Sequence, residues 1–591
     1  MRRKSLHGMV FLAAALVLGL TCRPSWSAEK VPSDRLLPPN VYAYFSVPNV
    51  PEFKSRWKQT LLGKLGEDKA LSEFWGDVAK QIEKLSEELE KHAGVKIDDL
   101  TALPAGELAI AVVQPQGKAI GVVAIMDYGK NDATVDKLLE RGAKAAEEHG
   151  AKKSEKDIDG TKVIIFAASK DDDGDSDKDK EKDKGADKAG APGRQVAYFL
   201  RDSYIVIGSD LPAIEAVLTR WDGKHAQTFA ENKTYAYIVE HSRTPNSTPV
   251  LTWYLNPLDL VKAAITSNPE AAQGAAMVLG FLPALGVNNF KGVGGSLDLA
   301  TEDYDSVSRT LMYIEQPTSG ILNIFQFPAT EQTPPSWVTD DATSYFAFNW
   351  NVGGAYDAVE ALVDTFQGPG AFGAMIDGMS GQDGAPKVHL KKDLIDQVSG
   401  QMHVTSDVPS ADNPAKQRYL FAIDVKDEAK MKSVLETVAK TPGFPGEARE
   451  FHGKTIYEAE VPLGGETSKM GVCVANGHLL IATDVTRIDQ LILADKDRKP
   501  LAQSENYKKI SKAFPAKTSM LSYQRQDTQV RALYDMLRTG PLAQQLEGIE
   551  IDFKKLPPFE AIQKYLPATG SYAVPDKNGA LFVNFSLKSA K

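Results

Sequence analysis

Cysteine is nearly absent from this chain: Cys22 and Cys473 are the two in 591 residues. Too few thiols exist for an intrachain disulfide framework, so an ordinary core has to hold the fold. Hydrophobic residues at 42% suffice for that. Positive charge is also short. Asp and Glu outnumber Lys and Arg, the formal net charge is -10, and no basic stripe interrupts the acidic balance, which excludes nucleic acid as a partner. Long apolar runs are missing as well. Met9 to Thr21 is shorter than the ~20 residues a spanning helix needs. Ala271 to Val287 is interrupted by Gln273 and Pro283, and reads as a buried Ala/Gly-rich helix and loop.

Catalytic motifs are absent too. The nine histidines are scattered, with none at HExxH spacing and no two close enough in sequence to suggest a metal pair. No G-x-S-x-G elbow is present: Gly294-Gly295-Ser296 lacks its last glycine, and Gly381 follows Ser380 one place too early. No catalytic, cofactor-binding or metal residue is therefore assigned, no cofactor is expected, and the chain is not read as an enzyme.

What is present begins at the N-terminus. Arg2, Arg3 and Lys4 precede the apolar run, and small residues follow at Ser25 and Ser27. This is the pattern of a secretory signal peptide over residues 1–27, cleaved between Ser27 and Ala28, which places the mature chain in the periplasm or outside the cell. Its removal takes four cations and brings the net charge to about -14. Lipidation at Cys22 is the alternative. It prefers Leu three residues earlier and a small Gly or Ala directly before, whereas Gly19 and Thr21 stand there.

The second half of the chain retraces the first. Val41–Val47 and Ala342–Phe348 both centre on Tyr-Phe, as Tyr44-Phe45 and Tyr345-Phe346. Asp99-Leu100 precedes Gly106 at the spacing by which Asp393-Leu394 precedes Gly400. Val122–Ile125 and Leu420–Ile423 lead through Asp127 and Asp424 into helices. Asp159-Gly160 matches His452-Gly453, Tyr204–Ile214 matches His478–Ile488, and the offset persists to Glu231-Asn232 and Glu505-Asn506. Two homologous units are expected, 28–330 and 331–591, divided in the Pro- and Thr-rich stretch from Pro328 to Pro335.

Within each unit, short alternating segments such as Leu108, Ile110 and Val112 predict strands. Arg201–Ser203 and Ala475–Gly477 predict hairpin turns. Ile214, Val217 and Leu218, and likewise Ile488, Leu491 and Ile492, predict helices with one apolar face. The expected fold class is α+β: two tandem homologous domains, each an antiparallel sheet with packed helices, standing apart or merged into one sheet. Residues 170–195, alternating Asp, Glu and Lys, predict a disordered loop.

Several motifs invite a chemical reading and yield a structural one. Gly368–Gly373 matches GxGxxG but follows a helix rather than a strand, against the dinucleotide pattern. Ser169–Lys180 resembles a calcium loop with Ser169 and Lys180 where ligands are needed. Asp210 and Asp484 each stand between a strand and a helix and predict caps, as do the two Glu-Asn pairs. Gly106, Gly160, Gly400 and Gly453 predict turns or strand entries. Cys473 aligns with Phe199 and predicts a buried thiol without a histidine partner.

The stretch Leu37–Phe53, with Thr60–Gly63 and the Tyr204–Asp210 junction, resembles a domain-of-unknown-function family of secreted bacterial proteins. The resemblance covers most of the first unit and, more weakly, the second. It implies a fold and a compartment, and no activity. The expected function is therefore a non-enzymatic envelope protein that binds or scaffolds an envelope protein, polysaccharide or lipid. The alternatives are a carrier of an apolar ligand, with Ala271–Val287 and Ala371–Met379 as groove candidates, and a hydrolase of envelope polymers. The partner itself remains unassigned.

Overall fold

Four tight turns show how local sequence shapes this chain. At Asp159-Gly160, Asp202-Ser203, His452-Gly453 and Asn476-Gly477 both central residues have positive φ, between 47° and 78°. Such turns carry the right-handed twist of their flanking strands and favour Asn, Asp and Gly. Each closes a hairpin.

The computed structural model describes residues 30–93, 96–168, 195–266, 274–275, 279–382, 384–407, 417–463, 466–493, 499–539 and 551–588. Residues 1–27, expected to be a signal peptide cleaved between Ser27 and Ala28, Cys22 within them, and the charged segment 170–194 lie outside them. Gln195 already belongs to a strand, so the segment between strands ends one residue before the expected boundary.

The first ten strands are β1 (Val41–Val47), β2 (Leu108–Val113), β3 (Gly121–Asp127), β4 (Lys152–Ile158), β5 (Thr161–Ala167), β6 (Gln195–Arg201), β7 (Tyr204–Gly208), β8 (Leu251–Leu255), β9 (Phe290–Leu299) and β10 (Tyr304–Ile314). The next ten are β11 (Ser344–Asn349), β12 (Val398–Asp407), β13 (Arg418–Val425), β14 (Glu447–Phe451), β15 (Lys454–Leu463), β16 (Glu466–Ala475), β17 (His478–Ala482), β18 (Met520–Arg525), β19 (Ala568–Asp576) and β20 (Gly579–Leu587).

All pair antiparallel in one 20-stranded sheet. The first ten run β4-β5-β6-β7-β3-β2-β1-β8-β9-β10. The second ten run β14-β15-β16-β17-β13-β12-β11-β18-β19-β20. The pairing order of the first set recurs in the second, and β10 joins β20 to make the two one sheet.

Helices pack on one face. In Leu211–Leu218, Ala213, Ile214, Val217 and Leu218 are buried against Val123, Phe199 and Val206. Thr486–Leu493 buries Ile488 and Leu491 against Leu420, Cys473 and Leu480. The alternation expected of β2 is present, with the small residues inward. Ala109, Ala111 and Val113 are buried, whereas Leu108 and Ile110 are 37% and 50% exposed on the opposite face.

The β10–β20 seam has its own core, in which Val307, Val583 and Phe585 pack with Tyr345, Leu521 and Tyr523. A second link is helical: Leu71 packs with Tyr534, Leu556, Phe559 and Ile562 from near the C-terminus. Asp68, beside that cluster, accepts from the Tyr565 hydroxyl at 2.5 Å.

Candidate functional site

Strand period places one carboxylate at the same point of each half. Val123, Ile125 and Asp127 alternate onto the covered face of β3, and Leu420, Ala422 and Asp424 onto that of β13. The registers agree: Asp127 pairs with Tyr204 and Asp424 with His478. On the other side, Ala109 pairs with Ile125 and His403 with Ala422.

In the first half, Lys30 Nζ lies 2.6 Å from Asp127 Oδ1 and 4.8 Å above the Tyr204 ring. Both residues line a cavity of about 650 Å³ together with Asp34, Tyr44, Ser46, Glu107 and Arg243. Glu107 is buried and accepts from Ser33 N at 3.0 Å, Ser33 Oγ at 2.6 Å and Ser46 Oγ at 2.8 Å. Burial pushes its carboxyl up, and the serine hydrogen bonds reverse that in part. Burial likewise raises Asp34, which accepts from Tyr235 Oη at 3.2 Å. Ser242 Oγ, on the same cavity, is buried and makes no hydrogen bond.

The second half carries a different set. His403 is 5% exposed and stacks on Tyr345, whose hydroxyl lies 2.9 Å from Nδ1. His478 places Nδ1 2.6 Å from the carbonyl oxygen of Asn476. Both Nε2 atoms face Asp424 Oδ1, at 3.4 Å from His403 and 3.0 Å from His478. Trp337 meets the two imidazoles edge-on, with ring centroids 6.0 and 5.6 Å away. Burial pushes the Asp424 carboxyl up, and the two imidazoles more than reverse it, holding it well below the usual carboxylate range. His403, Asp424 and His478 are the set able to hold a metal ion among the described residues.

The sequence-derived candidates occupy structural posts. Asp210 caps its helix by accepting from Ala213 N, and Asp484 accepts from Thr486 N. Asn232 accepts from Thr234 N and Tyr235 N, while Glu505 opens a helix capped by Ser504. Gly368 and Gly370 have positive φ in the turn between helices Val352–Gln367 and Ala371–Gly381. Asp364 accepts there from Gly370 N and Phe372 N. A Cβ on Gly106 would stand 2.1 Å from Asp127 Oδ2, so this glycine makes room for the carboxylate itself. Cys473 is fully buried. Ser169–Lys180 lies outside the described residues.

The histidine cluster escapes any reading by sequence spacing, since its members come from three strands. One signal existed: aligning the two halves sets His478 against Tyr204 and Asp424 against Asp127.

A family described as "Protein of unknown function (DUF3352)" matches residues 391–551, a span that includes all three cluster residues. The match bears out an uncharacterised domain family, and it falls in the half where the resemblance is the weaker. No curated protein and no solved structure matches the chain. Among the described residues, no helix is long and apolar enough to cross a membrane.

Proposed function

We propose that this is an exported, non-enzymatic protein made by tandem duplication of one α+β unit, 28–330 and 331–591, with a binding or scaffolding role in the cell envelope. The observation that carries it is the recurrence of one strand order in two sets of ten, together with the registers around Asp127 and Asp424. Duplicated units keep a fold while their sites diverge, and the two carboxylates already have different neighbours. The first-half cavity, lined by both charge signs and by the unpartnered Ser242 hydroxyl, suits a small polar ligand. Export rests on the N-terminal segment alone.

Native mass spectrometry of the protein purified from its own envelope tests this reading. The expected result is a chain mass starting at Ala28, with a ligand or partner that is lost on denaturation and on Ser242→Trp substitution. An uncleaved chain carrying nothing in repeated preparations would overturn it.

A second reading, a carrier of an apolar ligand, is favoured by the open face of the sheet. Phe45, Ile110, Ala124 and Ile207 are successive cross-strand neighbours there, as are Phe346, Val404, Phe421 and Ile481. Phe45, Ile110, Ile207 and Phe421 are each at least 40% exposed. Phe281, in the first groove segment expected from sequence, meets Phe366 of the helix Val352–Gln367 that precedes the second, at 5.7 Å between ring centroids. Extraction of bound lipid, and its loss in Ile110→Glu with the fold intact, is the expected result; a lipid-free preparation excludes this reading.

A further inference from the structure

We infer that His403, Asp424 and His478 form a binding site for one divalent first-row transition-metal ion, with zinc as its type.

The donor spacing is the first argument. Four ligands around zinc at 2.0–2.1 Å stand about 3.3 Å from one another. Asp424 Oδ1 lies 3.4 and 3.0 Å from the two Nε2 atoms, and all three ligand atoms fall within 4.8 Å of one another.

The second argument is protonation. A carbonyl oxygen only accepts, so the 2.6 Å contact with Asn476 O puts a proton on His478 Nδ1. Nε2 of the same ring stands 3.0 Å from a carboxylate oxygen, a contact that calls for a positive charge at that point, supplied by a second ring proton or by a bound metal ion. This arrangement, one ring nitrogen tied to a backbone acceptor and the other free, is the usual second shell of a metal-bound histidine. The Tyr345 hydroxyl, which can donate or accept, anchors His403 at Nδ1 and leaves Nε2 toward the carboxylate.

Third, Asp424 Oδ1 is buried and makes no hydrogen bond, although two imidazole nitrogens lie within hydrogen-bonding distance. A cation among the three ligand atoms would give this oxygen the partner a buried carboxylate needs.

Fourth, the other half shows what this position holds. At the register-equivalent Asp127, the chain supplies the cation itself, with Lys30 Nζ at 2.6 Å and the ring of Tyr204, which corresponds to His478, beneath it. Among the described residues, the ion pairs of Asp424 are those with the two imidazoles. Both halves thus build an anionic pocket on the same strand pair, and the second replaces lysine and tyrosine by metal ligands.

The donor set selects the class. Two imidazoles and one carboxylate suit zinc and its neighbours in the row, whereas calcium and magnesium take oxygen ligands. Trp337 and Tyr345 wall the site, so a single remaining position would take water or an added ligand.

The test uses untagged full-length protein stripped with a chelator. Zn2+ is titrated by calorimetry, and Co2+ is followed by its visible ligand-field absorption. One saturable equivalent per chain is expected, with intense cobalt bands. His478→Gln and Asp424→Asn should each weaken zinc uptake at least about 100-fold while circular dichroism stays that of the parent, and Asp127→Asn should leave uptake unchanged. The cobalt spectrum of the unaltered chain needs no variant to fold. The absence of a saturable equivalent or of cobalt bands would overturn the inference and leave an imidazolium–carboxylate cluster. An equivalent that both substitutions leave untouched would overturn it too.

Discussion

Asp424 faces His478 across the β13–β17 ladder in the register by which Asp127 faces Tyr204 across β3–β7. In the first half that register is completed by Lys30, and the pairing has a stability consequence. Asp127 is 7% exposed, and removal of its ammonium partner leaves a buried charge. Breaking such a pair costs about 3–5 kcal/mol when fully buried, and less where one partner reaches solvent. With Lys30 39% exposed, Lys30→Met should destabilise by about 1–3 kcal/mol. Urea unfolding checks this, and Lys30→Met with Asp127→Asn together should recover most of the loss.

Glu107 sets a pH dependence of definite sign. Burial raises its carboxyl in the folded state above the unfolded value near 4.5. Below that value both states bind the proton, and the burial costs nothing extra. As pH rises, the unfolded chain ionises first, so stability falls until the folded carboxyl ionises as well, and is level beyond. Asp34, raised by the same cause, contributes in the same direction. The difference in urea midpoint between the parent and Glu107→Gln, followed from pH 4 toward neutrality, isolates this group. The parent should lose stability relative to the variant across that window; a difference that stays flat would show that Glu107 is not raised.

The hairpin turns offer a gain. Ser203 has φ of 65° in the β6–β7 turn, where the matching β16–β17 turn has Gly477. A non-glycine residue in the left-handed region costs about 1 kcal/mol. Ser203→Gly should therefore stabilise the protein by up to about 1 kcal/mol, and Gly477→Ala should cost a similar amount. Thermal melts of the two variants read both signs.

These turns also show how far the sequence could be read. Asn476-Gly477 declared its hairpin, and the apolar i, i+3, i+4 stripe of Ile214, Val217 and Leu218 declared a buried helix face, because both follow from local geometry. The inward face of β2 did not declare itself: Leu108 and Ile110 outrank Ala109 and Ala111 in hydrophobicity, yet the alanines face the core. Tertiary packing decides which face is covered, and alternation alone does not report it. The merging of two sheets was undecided, since a β10–β20 pairing between residues nearly 280 apart leaves no periodic trace. The histidine cluster was hidden for the same reason, because His403 and His478 meet only after three strands have been laid side by side.

The seam makes the last prediction. Phe585 on β20 is 1% exposed and pairs with Val307 on β10, with Tyr304 and Phe514 rings 5.5 and 5.8 Å from its own. Truncation of a buried phenylalanine costs about 3–5 kcal/mol through lost transfer energy and the cavity left behind. The ring serves strands of both halves, so Phe585→Ala should loosen both. Amide hydrogen exchange should speed up in β9 and β10 as well as in β18 and β19. The helical contact of Leu71 with Phe559 and Ile562 ties the halves at a second place and reinforces that coupling. Faster exchange confined to β18–β20 would mean that the two halves are stable separately and that the 20-stranded sheet is a contact between finished units. Faster exchange on both sides would mean that neither half closes its core without the other, and that binding in one half is felt in the strands of its neighbour.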